Sequence, residues 1–155
     1  MYPVNNVEEI ADPAIKYKLL MELVDFAPKD PDSTIKKNVN LGLVEIGRII
    51  NLHIAAGVPK ENLDIVIIVH ASALFAFLNN NEYKKKYGVD NPNIPFLKEM
   101  ESVGFKLLAC GQAILFIGLE KEQLLPEVKV ALTAKTVLTS YQLKGYVLNK
   151  ITLND

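Results

Sequence analysis

Residues 63–69 read Leu-Asp-Ile-Val-Ile-Ile-Val, a run that is almost wholly β-branched and does not alternate with polar residues. A strand covered on one face alternates apolar and polar side chains. An unbroken apolar run of this length needs cover on both faces, which points to a parallel sheet between helices. Residues 105–110, Phe-Lys-Leu-Leu-Ala-Cys, form a second such run between Gly104 and Gly111. Together the two runs commit the chain to an α/β fold, and the remaining segments can be read around them.

A first strand is expected within residues 15–26, from Leu19, Leu20, Met21, Leu23, Val24 and Phe26. The loop 28–32 follows, where Pro31 disfavours helix before it. Ser33 or Thr34 can cap a long helix. In it Ile35, Val39, Leu43, Ile46, Ile50 and Ile54 recur every three or four residues as one apolar stripe. Gly57 and Pro59 end that helix. Gly42 and Gly47 lie inside it, each costing roughly 1 kcal/mol against alanine, which suggests close approach of a neighbour. His70 closes the 63–69 strand, and residues 71–78 start a helix that Asn79-Asn80-Asn81 interrupts. Residues 82–93, polar and rich in turn formers, read as a surface excursion. Asn93 caps a helix with Pro95 in its first turn, buried through Phe96, Met100 and Val103 and ended by Gly104. Residues 111–119 can be helical. Pro126 opens a short strand over 127–132, and Thr133 caps a last helix that buries Ala134, Val137, Leu138 and Tyr141. After Gly145 a final strand covers 146–151.

Strand and helix thus alternate about five times. This predicts one three-layer α/β/α domain over residues 15–155, with an about five-stranded, mainly parallel sheet of flavodoxin/Rossmann-like architecture. Residues 1–14 read as an extended arm. With 155 residues, half of them apolar, the chain can bury a substantial core as a single domain. The 17 basic and 18 acidic residues nearly cancel, so neither nucleic acid nor an acidic membrane surface is an expected partner. Lys84-Lys85-Lys86 reads as a solvated helix end. The apolar stretches 65–78 and 107–119 are too short to cross a bilayer. The polar start at Met1-Tyr2-Pro3 shows no signal peptide, so a cytoplasmic location is expected, or a periplasmic one if a leader has been removed.

Nucleotide-binding glycine loops are missing: no G-x-G-x-x-G follows a strand, and G-x-x-x-x-G-K-[ST] is absent. His53, His70 and Cys110 are far apart, without C-x-x-C or H-x-x-x-H spacing, so no metal and no other cofactor is expected. His53 reads as a surface or interface residue. Cys110 is the only cysteine and ends a strand, where open α/β sheets carry their chemistry. A helix starting at Gly111 would set its amino terminus against the thiol and favour the thiolate. Gly111 permits close backbone approach to a ligand, and Gln112 offers one well-placed hydrogen bond. His70, at the end of a neighbouring strand, could assist deprotonation or orient a bound group. The plainer readings are Cys110 as a small core hydrophobe and His70 as a polar cap. A single thiol cannot form a resolving disulfide within the chain, whereas carrying one sulfur atom as a persulfide needs only one.

Several segments carry a resemblance. They are Val39-Asn40-Leu41-Gly42-Leu43, the strand end Val66-Ile67-Ile68-Val69-His70-Ala71, Cys110-Gly111-Gln112, and Gln142-Leu143-Lys144-Gly145-Tyr146. In this order and spacing, over roughly residues 15–151, the chain resembles the DsrE/DsrF-like family, which includes sulfur-relay subunits with a persulfide-carrying cysteine. The resemblance implies a sulfur carrier or sulfurtransferase-like protein with the persulfide on Cys110. It also implies assembly as a trimer or hexamer with the cysteine near subunit interfaces, and sulfur donor and acceptor proteins as partners. Where some relay members carry arginines after the cysteine, this chain has Ala113-Ile114-Leu115-Phe116-Ile117. An anion at Cys110 would then depend on helix N–H groups, Gly111, Gln112 and His70. Two other functions fit the same residues: a non-catalytic oligomeric module binding a small ligand or a protein, with Cys110 structural, and a thiol sensor oxidised reversibly at Cys110.

Overall fold

The structure, a computed structural model, describes residues 4–152. Five strands, β1 (Tyr17–Leu23), β2 (Leu63–Val69), β3 (Lys106–Cys110), β4 (Lys129–Ala131) and β5 (Val147–Lys150), form one sheet in the order β4-β3-β2-β1-β5. Every pairing is parallel. The helices are α1 (Leu41–Ala55), α2 (Asn80–Tyr87), α3 (Asn93–Met100), α4 (Gly111–Phe116) and α5 (Ala134–Leu143). No helix among the described residues is long and apolar enough to cross a membrane.

The strand order dictates the layers. From β1 to β4 the chain steps in one direction across the sheet, so right-handed crossovers put α1 to α4 on one face. From β4 to β5 it steps back, and the same handedness puts α5 on the other. The side chains agree. Leu19, Met21, Leu23, Ile65, Ile67, Val69, Leu107 and Ala109 meet Leu43, Ile46, Ile50, Leu97 and Ile114 in one core. Leu20, Val66, Ile68, Leu108 and Cys110 meet Ala134, Val137 and Leu138 in a second, smaller one. β2, central in the sheet, is buried on both sides, as its unbroken apolar run requires. The result is the expected three-layer α/β/α arrangement, with one layer made of α5 alone.

Local structure departs from the sequence reading in several places. The stripe beginning at Ile35 is not one helix. Thr34–Lys37 form a separate 3-10 turn, Ser33 makes no capping bond, and Asn38 is extended. α1 starts at Leu41 because the Asn40 side chain accepts from the Gly42 and Leu43 N–H groups at 2.9 and 3.3 Å. Residues 71–77 wind as a 3-10 helix. Residues 82–93 are no surface excursion: residues 82–87 complete α2, capped by Asn79, which accepts from the Glu82 N–H at 2.9 Å, and a short turn from Gly88 leads into α3 at Asn93. Tyr83 and Tyr87 bury their rings, with hydroxyls donating to the carbonyls of Lys36 and Pro28 at 2.8 and 3.2 Å. Asn93 does not cap α3 but is its first residue, after Pro92 at the N-cap, and its N–H donates to Asn91 Oδ1 at 2.9 Å. α4 stops at Phe116 rather than at 119, and β4 is only three residues long. The arm expected over residues 1–14 falls partly outside the described residues. From residue 4 to β1 the backbone is irregular, held where Tyr17 Oη and Asn62 Nδ2 donate to the carbonyls of Asp12 and Pro13.

Candidate functional site

The carboxyl ends of β1, β2 and β3 bring three chemically distinct side chains to one face of the sheet. Side chains alternate along each strand, and Leu20, Ile68 and Leu108 face α5. Two residues further on in each strand come Glu22, His70 and Cys110, which therefore share that face. The register runs Glu22 beside Ile68 and Val69 beside Ala109. His70 and Cys110 are thus the next residues on adjacent strands. His70 Nε2 lies 2.9 Å from Glu22 Oε1. Glu22, only 7% exposed, is one of few buried charged or polar side chains among the described residues. On its other side, across the β1–β5 pairing, its register partner is Lys150.

The loops leaving β1 and β2 hold this end under tension. Phe26 and Ala71 both take left-handed backbone, φ 74° and 51°, a conformation that costs a non-glycine residue about 1–3 kcal/mol. Each is tied down on site. The His70 N–H donates to the Leu23 carbonyl at 3.1 Å and the Ala73 N–H to that of Val24 at 3.2 Å. Asp25 Oδ1 accepts from the Phe26 N–H at 2.8 Å and from Ser72 Oγ at 3.3 Å. Such strain concentrates where surrounding structure over-determines a geometry, commonly at functional sites.

Cys110 is 6% exposed and lies in the α5-side core with Leu108, Ala134, Val137 and Leu138. It occupies the N-cap position of α4 without making a side-chain cap bond. Its thiol faces α5, whereas α4 packs through Ile114 into the opposite core. The amino terminus of α4 is also partly used, since the Gln112 N–H donates to the Leu132 carbonyl at 3.3 Å. Gly111 has a packing reason to be glycine: a Cβ there would stand 2.9 Å from the Ala131 carbonyl oxygen. Gly111 and Gln112 border an open groove of about 560 Å³ with Leu115, Val130 and Leu132, and neither Cys110 nor His70 lines it. The structure therefore places His70 and Cys110 at adjacent strand ends on one face of the sheet, and Gly111 with Gln112 along a separate groove.

His53 stands elsewhere, its Nδ1 2.8 Å from the Ile49 carbonyl and its ring edge-on to Tyr17. No cluster of metal-ligating side chains occurs among the described residues. Glu22 is the member that sequence reading passed over. Its signal was present, a lone carboxylate inside the apolar strand Tyr-Lys-Leu-Leu-Met-Glu-Leu, because a buried charge requires a partner.

No curated protein matches the chain. Among solved structures, a protein of unknown function from Methanobacterium thermoautotrophicum, MTH1491, is similar in fold. It has a TM-score of 0.56 and 16% identity, over 86% of this chain and 98% of that one. The model of the DsrE/DsrF-like family matches residues 21–149, from within β1 to within β5, and the chain belongs to that family.

Proposed function

We propose that this protein is a sulfur carrier that holds a persulfide on Cys110 and hands it on within a cytoplasmic sulfur relay. Membership of the DsrE/DsrF-like family suggests sulfur relay at the level of the family. The observation that carries the reading to particular residues is the alignment of Cys110 and His70 at adjacent strand ends, with His70 bonded to the buried Glu22. Cys110 is the nucleophile. His70 takes the thiol proton, and the resulting thiolate attacks the outer sulfur of a sulfane donor, R–S–S⁻ or thiosulfate. The new Cys–S–S⁻ bond forms as the donor's S–S bond breaks. The bonding pair leaves with the donor's inner sulfur, as a thiolate or as sulfite. No metal or external oxidant enters. Gly111 and Gln112 follow Cys110 directly but border a separate groove, so their part in donor binding rests on adjacency in the chain alone. The proposal includes a homo-oligomer, trimer or hexamer, and is supported by the exposed apolar side chains of Leu115, Phe116, Val130 and Leu132 beside these residues.

A second reading has its own observation. The burial of Cys110 among aliphatic side chains fits a binding module in which the cysteine is structural. Intact-protein mass spectrometry after exposure to polysulfide or thiosulfate separates the two. A gain of one sulfur atom, reversed by reductant and absent in Cys110→Ser, is the expected result. An unmodified protein whose thiol also resists alkylation would leave the binding module as the function.

A further inference from the structure

We infer that Glu22 is the positioning residue of the Cys110 site, its carboxylate fixing His70 in the tautomer that leaves Nδ1 free to take the thiol proton. The inference rests on the sulfur-carrier reading and adds a residue outside the sequence segments singled out above. Burying a carboxylate on a strand otherwise made of aliphatic side chains is unfavourable unless something hydrogen-bonds it. Among the described residues that partner is His70, at 2.9 Å. An ionised carboxylate only accepts, so Nε2 must be the ring nitrogen that carries hydrogen. In the neutral imidazole the lone pair then sits on Nδ1, which has no hydrogen-bond partner among the described residues.

Direction follows from topology. The two ring nitrogens project to nearly opposite sides of an imidazole. With Nε2 turned toward Glu22 on β1, Nδ1 is turned away from β1. In the order β3-β2-β1 that is the side of β3, whose last residue is Cys110. The His70 backbone cannot drift, being bonded to Leu23 and followed by the left-handed Ala71. Cys110 Sγ and His70 Nδ1 are not hydrogen-bonded in this structure, so the proton moves from one to the other once rotation of the thiol brings them within reach, and the imidazolium so formed stays paired with Glu22. When the donor's S–S bond breaks, the departing sulfur collects that proton. Glu22 touches neither sulfur and acts through His70 alone. Charged groups at this end among the described residues include Lys150, in register with Glu22 on β5, Asp25, bonded to Ser72, and Lys135 in the first turn of α5.

The test is ¹⁵N–¹H correlation spectroscopy of the His70 ring, with the rate of Cys110 alkylation by iodoacetamide and of sulfur uptake from polysulfide. Wild type is expected to carry the ring hydrogen on Nε2. In Glu22→Gln, whose amide can donate or accept, the Nδ1–H form should appear, with both rates at least tenfold lower. His70→Gln should be equally slow, and adding Glu22→Gln to it should change nothing further. A wild-type ring protonated on Nδ1 overturns the inference without any variant. So does a folded Glu22→Gln protein with an unchanged tautomer and wild-type alkylation. A wild type that takes up no sulfur from polysulfide sinks the carrier reading instead. The tautomer and alkylation results still decide for or against Glu22.

Discussion

Asn91 shows how much a single residue contributes in this fold. It is buried and fully bonded: Nδ2 donates to the carbonyls of Ala76 and Leu78 at 2.9 and 2.6 Å, and Oδ1 accepts from Asn93 N–H and Nδ2 at 2.9 and 2.8 Å. Asn93 Oδ1 in turn accepts the Asn40 N–H at 2.7 Å, joining the start of α3 to the start of α1. Asn91→Ala would strand these groups without water, and is expected to lower unfolding free energy by about 3 kcal/mol in urea. The tyrosines offer a second residue-scale test. Burial pushes the Tyr83 phenol up to about 12, against about 10 in an unfolded chain. The unfolded state therefore loses this proton first, so stability should be intact below pH ~10 and fall as pH rises toward ~12. Thermal melts across that range, with phenolate absorbance, check the sign. The strand-end positions of Cys110 and His70 were legible because strand ends can be read from local apolar runs. The Asn40–Asn93–Asn91 network was not, because its members are distant in sequence and their side chains read locally as turn formers. Glu22 was missed for a related reason: its partner lies 48 residues away.

At the scale of elements, long apolar runs were read correctly, β2 to the residue, while the start of α1 and the end of α4 were not. β2 and β3 stand where their runs do, since burial on two faces leaves no other solution. α1 begins six residues after Ile35 because a side-chain cap at Asn40 outcompeted the continuation of a 3.6-residue pattern. α2 was hidden by its weak apolar face, which consists essentially of Tyr83 and Tyr87 among lysines and asparagines. The glycine inside α1 that suggested close approach does have a neighbour. A Cβ on Gly42 would collide with Leu23 Cδ1 and lie 2.8 Å from Phe26 Cδ2, at the strained turn that leaves β1. Helix propensity alone predicts that Gly42→Ala stabilises by up to about 1 kcal/mol. Overpacking costs typically about 1–3 kcal/mol and should win. Gly42→Ala is thus expected to be the less stable protein in chemical denaturation, and a more stable one would show that the Leu23 and Phe26 side chains yield freely.

For the whole molecule, the decisive feature is the reversal of strand order at β1. Among the described residues it leaves α5 as the one helix over one face and places two short strands, β4 and β5, at the edges of the sheet. Edge strands are normally blunted by charge, proline or cover; Lys129 on β4 and Lys150 on β5 do this in part, yet exposed apolar side chains flank both strands. Around β4, Phe116 is 91% exposed, Leu132 75% and Leu115 74%, with Val130 also exposed. Around β5, Leu143 and Val147 are exposed. Two different apolar edges on one subunit suit head-to-tail contacts, which close into rings when the rotation permits. Sedimentation of the wild-type chain is therefore expected to give a homo-oligomer at micromolar concentration. Phe116→Asp combined with Leu132→Asp should give monomers with unchanged far-ultraviolet circular dichroism, because neither side chain contributes to a core. A wild type that sediments as a monomer would remove assembly from the proposal. If the oligomer forms, Cys110 alkylation in the monomeric double variant becomes informative. β4 pairs directly with Cys110 through Ala131, so uncovering that edge should loosen the strand beside the thiol and speed its modification relative to the assembled protein.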